Sequence, residues 1–186
     1  MNKKKPSLLE KGFKAEAERI SLDLRKQLGL TAFSKLCAFE LAKHLRIKIR
    51  SIQDDYGFTD TSYSDWSACL IYNKNNHPVI IHNKVHTQAR QQSDVMHEIS
   101  HFYRKHPLPE QDYDFIVPTA MLSINPLYEE EASWLGGVLQ LPRKALEWAI
   151  FNQKMTGGSI ADFYTCSPEM VRYRVNVSGL GKYFKN

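Results

Sequence analysis

The stretch His97-Glu98-Ile99-Ser100-His101 decides how the chain is read. It lies in a run from Gln88 to Arg104 in which Val95, Met96, Ile99 and Phe102 supply apolar neighbours, so the run reads as one helix buried on at least one side. In a helix, residues four apart lie one above the other on the same face. His97 and His101 can therefore turn imidazole nitrogens towards one metal ion. Glu98 is about 100° round the helix from His97, beside that ion rather than on it, where it can take a proton from a bound water. Two imidazole ligands, a general base and a third ligand from elsewhere make up a zinc peptidase pattern. A partly buried His-Glu-His cluster without a metal would be costly to desolvate.

The third ligand is sought in the next periodic segment, Leu127 to Leu141, read as a second helix. Glu129, Ala132, Leu135, Gly136 and Leu139 share a face. A carboxylate among apolar and small residues calls for a partner, and zinc accepts carboxylate oxygen. The small residues Ala132, Gly136 and Gly137 would let this helix approach the first one closely. Glu129 is therefore the expected third ligand, with Glu130 and Glu131 as alternatives in the same acidic run. The plainer account of that run is a helix start whose dipole favours acidic residues. No fourth protein ligand is evident, which leaves a position for water. Arg90, His106, Tyr113, Tyr128 and Arg174 are candidates by chemical type for stabilising an oxyanion. His77, His82 and His86 fall outside the spacing and read as surface or turn histidines.

The rest of the chain supplies a frame. Residues 7–28 read as a helix stopped by Gly29, and Thr31 as the cap of a helix carrying Phe33, Leu36, Cys37, Leu41 and Leu45 on one face. Arg46 to Ile52 alternates like a half-buried strand with a basic face, and Asp54 to Ser67 reads as loop. Ala68 to Tyr72 and Val79 to His82 form a hairpin around the turn formers from Asn73 to Pro78. Four prolines between Lys105 and Pro126 argue against a regular helix there, and such a segment beside the metal would shape a substrate cleft. Further helices are expected over Lys144 to Met155, after Ser159, and from Ser167-Pro168-Glu169. The fold class is thus α+β: a small, mostly antiparallel sheet of about three strands packed on the His-Glu-His helix, with N- and C-terminal helices. The expected division is an N-terminal helical extension over 1–30, a metallopeptidase core over 31–142 and a C-terminal helical segment over 143–186, all in one compact unit.

Composition narrows the class. At 186 residues, with 42% hydrophobic and 24% charged, the chain suits one globular domain, and no apolar run approaches a membrane span. No signal peptide is visible, and three widely spaced cysteines argue for a reducing compartment, so a cytoplasmic location is expected. The net charge of +5 sits partly in Lys3 to Lys5, Lys182 and Lys185, which read as solvated basic tips. Two short helices near 159–178, with Arg172 and Arg174, have the look of a DNA reader, but such readers usually dimerise on paired half-sites. Direct nucleic-acid binding is not expected.

These motifs together resemble the ImmA/IrrE family of metallo-endopeptidases. Arg90-Gln91 ahead of the first histidine, Glu129-Glu130-Glu131-Ala132-Ser133-Trp134-Leu135 running to Leu141-Pro142, and Ser167-Pro168-Glu169-Met170-Val171 with Arg174 carry the resemblance, and Gly12 to Ala42 looks like the longer members. Ser100, Ser133 and Gln140 depart from the usual residues without removing a ligand or the base. The resemblance implies a gluzincin-like fold, with zinc (or manganese or another divalent ion) on His97, His101 and Glu129, and Glu98 as base. It also implies a protein substrate of the helix-turn-helix repressor class. The rival is a non-proteolytic, metal-binding regulator with the same fold, from which the presence of Glu98 distinguishes it.

Overall fold

The computed structural model describes residues 6–56, 65–108 and 125–184. Helix α1 (Phe13–Gln27) begins after Gly12, whose φ of 98° suits glycine. Phe13, Ala17, Ser21 and Leu24 recur along its buried face. Thr31 and Ser34 then bond to each other, Oγ1 to Oγ at 2.6 Å, in a turn. The expected helix capped by Thr31 does not start there. Helix α2 (Ala38–His44) starts after Cys37, and Leu36 is buried ahead of it. The apolar spacing identified the core residues but not the boundary, because the hydroxyls satisfy each other instead of helix amides.

Strand β1 (Lys48–Ser51) runs into a short helix α3 (Ile52–Tyr56), where the sequence read the start of a loop. Strands β2 (Ala68–Tyr72) and β3 (Pro78–His82) form the expected antiparallel hairpin, with Ala68 opposite His82. β1 joins the far side of β3 in parallel, with Lys48 opposite Val79. The described strands therefore form one mixed sheet in the order β1-β3-β2, which leaves β2 on an edge.

Helix α4 (Gln88–Arg104) carries the two site histidines. Thr87 caps it by accepting from the Arg90 amide at 3.3 Å. Helix α5 (Pro126–Gln140) follows Asn125, whose side chain accepts from Leu127 N at 3.0 Å, with Pro126 in the first turn. α4 and α5 pack unusually closely at Gly136. A Cβ there would stand 3.2 Å from the backbone nitrogen of His97. Gly137 instead faces Arg174 and Met170 on the other side. The expected helix over Lys144 to Met155 is shorter: α6 (Arg143–Glu147) passes into a π-helical turn, Trp148–Asn152. Helix α7 (Gly157–Tyr164) is capped by Thr156 rather than Ser159, the Thr156 hydroxyl accepting from the Ser159 amide at 3.2 Å. Helix α8 (Pro168–Val177) has Ser167 as its cap, as its sequence predicts.

One apolar cluster joins α1, α2, the sheet, α4 and α5, and a second gathers Leu141 with the C-terminal helices. Between them, buried cations finish α5, which has no glycine stop. Arg25 Nη2 donates to Leu139 O at 2.9 Å, Ser21 Oγ to Val138 O at 3.1 Å, and Arg174 Nε to Leu141 O at 2.9 Å. These carbonyls would otherwise be buried orphans at a helix end. Burial lowers the Arg25 pKa to about 10 and pulls that of Arg174 down as well. Among the described residues, no helix is long and apolar enough to cross a membrane.

Candidate metal centre

Three Lewis-base side chains from two helices converge at the α4–α5 contact. His97 Nε2 lies 3.2 Å from Glu129 Oε2 and 3.0 Å from His101 Nε2, and His101 Nε2 lies 3.4 Å from Glu129 Oε1. All three donor atoms fall within 4.8 Å of one another, and among the described residues they form the one His/Cys/Asp/Glu group able to hold a metal ion. The donor set fits such an ion. A tetrahedral zinc site with metal–ligand bonds of about 2.0–2.1 Å has ligand atoms about 3.3 Å apart, close to the separations found. The histidines meet because they stand one turn apart on α4, and Glu129 reaches them from the first turn of α5 because Gly136 lets the two helices close up.

Glu98 lies beside this group. Its Oε2 accepts the amide of Leu70 at 2.8 Å, so the edge strand β2 fixes the carboxylate. Burial raises the Glu98 pKa to about 7, against the opposing pull of His97 and the Leu70 amide. The Glu129 carboxylate is held below its ordinary range, chiefly by its hydrogen bond with His97. Burial, reinforced by the charge of His97, depresses His101 to about 4. At His97 burial opposes protonation, but Glu129 and Glu98 outweigh it and raise the pKa.

The other two glutamates of the acidic run face elsewhere. Glu130 binds the Ser7 hydroxyl and accepts from the Leu8 amide at 2.8 Å. Glu131 Oε2 meets His106 Nε2 and Arg104 Nε, both at 3.0 Å. Burial opposes charge on Glu131, yet the hydrogen bonds from His106 and Arg104 hold its pKa below the ordinary value. His106 in turn places Nδ1 at 2.9 Å from His101 Nδ1, and its ring stacks on Tyr128 with centroids 4.6 Å apart.

His106 reaches His101 because α4 ends in a left-handed turn at Lys105, with φ 56°. The Lys105 amide bonds Phe102 O and the His106 amide bonds His101 O, both at 3.1 Å. This is a Schellman ending, which brings the residue two past the cap against the one three before it. Sequence reading named His106 only as an oxyanion candidate and Glu131 only as a substitute ligand. The spacing of five between His101 and His106, followed by Pro107, was the available signal.

Other sequence candidates lie apart. Arg174 is buried against Leu141 O and Glu18, which excludes it as an exposed DNA contact, while Arg172 pairs with Glu169 at the surface. Arg90 Nη2 donates to Ser67 Oγ at 3.0 Å. Tyr113 and most of the proline-rich segment lie outside the described residues. Of the three histidines read as surface residues, His77 is exposed, but His82 is buried edge-on to Phe39 and His86 faces Asp94. His82 sits on β3 against Phe39 of α2, and His86 meets Asp94 of α4, contacts that alternation alone did not show.

No curated protein matches the chain. A family model, Peptidase_M78, described as the IrrE N-terminal-like domain, matches residues 42–176, which run from the end of α2 through most of α8 and include both helices of the metal-capable group. With most of its length matched, the chain belongs to this family of metallopeptidases, and a divalent metal is implied.

Proposed function

We propose that the protein is a zinc-dependent endopeptidase acting on a regulatory protein, with a helix-turn-helix transcriptional repressor as the substrate class. The observation that carries this reading is the pairing of the His97-His101-Glu129 group with a separate carboxylate, Glu98, fixed beside it by the Leu70 amide. A site that only held a metal for structure would have no use for that base and would close with a fourth protein ligand.

In this reading His97, His101 and Glu129 hold the metal. Bound zinc would polarise the scissile carbonyl and lower the pKa of the attacking water. Glu98 takes the proton of the attacking water and returns it to the leaving amine. The Leu70 amide orients that carboxylate by holding its Oε2. The same edge strand continues past the site through Ile71 and Tyr72, alongside which an extended substrate segment would lie.

The test is metal content together with cleavage. Elemental analysis is expected to find about one zinc per chain, lost in His97→Ala. Glu98→Gln is expected to keep the metal and lose cleavage of a repressor substrate. Zinc in neither wild type nor variant, even after loading, would defeat the reading. Zinc without cleavage of any candidate repressor, and no change in repressor binding on Glu98→Gln, would instead favour a non-proteolytic regulator.

A further inference from the structure

We propose that His106 and Glu131 form a positioning pair that fixes the tautomer and ring orientation of His101; this rests on reading the His97-His101-Glu129 group as a metal centre. The argument is one of proton placement. His101 turns Nε2 towards His97 and Glu129, and Nδ1 towards His106. For Nε2 to offer a lone pair to a metal, the ring proton must sit on Nδ1. That proton then points along the 2.9 Å line to His106 Nδ1, which must accept it. His106 is left with its own proton on Nε2, aimed at Glu131 Oε2 at 3.0 Å. Arg104 Nε donates to the same oxygen, which favours the anionic carboxylate as acceptor. One arrangement of protons satisfies the whole chain.

The chain is also built to stay in place. His106 and Glu131 are 8% and 6% exposed, so water does not compete freely for their hydrogen bonds. The left-handed turn at Lys105 sets the His106 backbone, and Tyr128 stacks on its ring. Arg104 is held from beyond by Glu16 Oε1 at 3.0 Å and by the face of Phe13, so α1 buttresses the pair although it precedes the residues matched by the family. A partner on the outer nitrogen of a ligating histidine fixes its tautomer and raises its basicity. Here that partner is a second imidazole backed by a carboxylate.

The test measures zinc affinity on the full chain, by competition with a chromophoric zinc chelator, beside the melting temperature of each metal-free protein. His106→Leu removes the acceptor and is expected to weaken zinc binding about tenfold to a hundredfold. His106→Gln can accept from His101 through its carbonyl and donate to Glu131 through its amide, so it is expected to restore most of the affinity. Should His106→Leu fail to fold, Glu131→Gln carries the test: it is expected to weaken zinc severalfold, and wild-type affinity would overturn the proposal. His106→Leu with wild-type affinity, or His106→Gln as weak as His106→Leu, also overturns it. A wild-type protein that binds no zinc overturns the metal centre itself, which is a different result from wild-type binding that the variants leave unchanged.

Discussion

Gly136 and Gly137 are adjacent in α5, yet an added methyl is expected to act oppositely at the two. Alanine at 136 would put Cβ at 3.2 Å from His97 N, 3.3 Å from His97 Cα and 3.3 Å from Met96 C. All three are backbone atoms of α4, which cannot swing aside as a side-chain tip can, so the two helices must part by a few tenths of an ångström. Overpacking of this kind costs about 1–3 kcal/mol. The gain in helix propensity on replacing glycine offsets about 1 kcal/mol of that. Gly136→Ala should therefore lose about 0–2 kcal/mol of stability. At 137 the new Cβ would meet Arg174 Cδ at 3.4 Å and Met170 Sδ at 3.6 Å, ordinary contacts with adaptable side chains. Gly137→Ala should thus be neutral or gain up to about 1 kcal/mol. The two variants should differ by up to about 3 kcal/mol, or up to about 12 °C in melting temperature, since 1 kcal/mol shifts a chain of this size by about 2–4 °C. Urea denaturation checks the free energies. Gly136→Ala should also weaken zinc binding, because parting the helices draws Glu129 away from the histidines. A Gly136→Ala variant more stable than Gly137→Ala would refute the close-packing account.

Further outcomes can be checked. Glu129→Ala should lower zinc affinity more than Glu130→Ala, whose carboxylate bonds Ser7 and Leu8 rather than the histidines; equal zinc titrations would remove Glu129 from the ligand set. Arg25→Met strips donors from Leu139 O and Ser34 O and should cost about 2–4 kcal/mol in urea denaturation, the scale for buried acceptors left unpaired; an unchanged midpoint would mean water replaces the guanidinium. Burial depresses the His82 pKa, against the pull of Asp54 and Asp94, so the folded protein resists a proton that the unfolded chain accepts. The His82 contribution is then complete above the ordinary histidine pKa of about 6.5 and declines as pH falls through the lower folded value, by at most about 1.4 kcal/mol per pH unit. Metal-free His82→Leu should show a shallower loss of stability between pH 7 and 5 than wild type, and parallel curves would deny the assignment.

Much of the candidate site was legible because it is local. His97, Glu98 and His101 are set by the pitch of one helix, and the stripe of apolar and small residues in α5 marked the face carrying Glu129. The hairpin of β2 and β3 was written in its turn formers, and Ser167 and Pro168 announced α8. Capping also misled where two hydroxyls were close enough to choose each other, as Thr31 and Ser34 do. Alternation marked β1 as a strand but was silent on its partner, because parallel and antiparallel neighbours bury the same face.

What the sequence determined by itself is the chemistry available at one helix turn: two imidazoles on a face, a carboxylate beside them, and a small-residue helix able to come near. The tertiary structure decided how the acidic run was shared out. Docking α5 on α4 at Gly136 turns Glu129 to the histidines, while Glu130 is taken by Ser7 and Leu8 and Glu131 by His106 and Arg104. It also buried Arg25 and Arg174 against the carbonyls that end α5. The reason is range. Helical pitch links residues three or four apart, and the sequence displays that spacing directly. The direction a glutamate or arginine takes depends on groups more than twenty residues away in the chain, which meet it only when the helices pack.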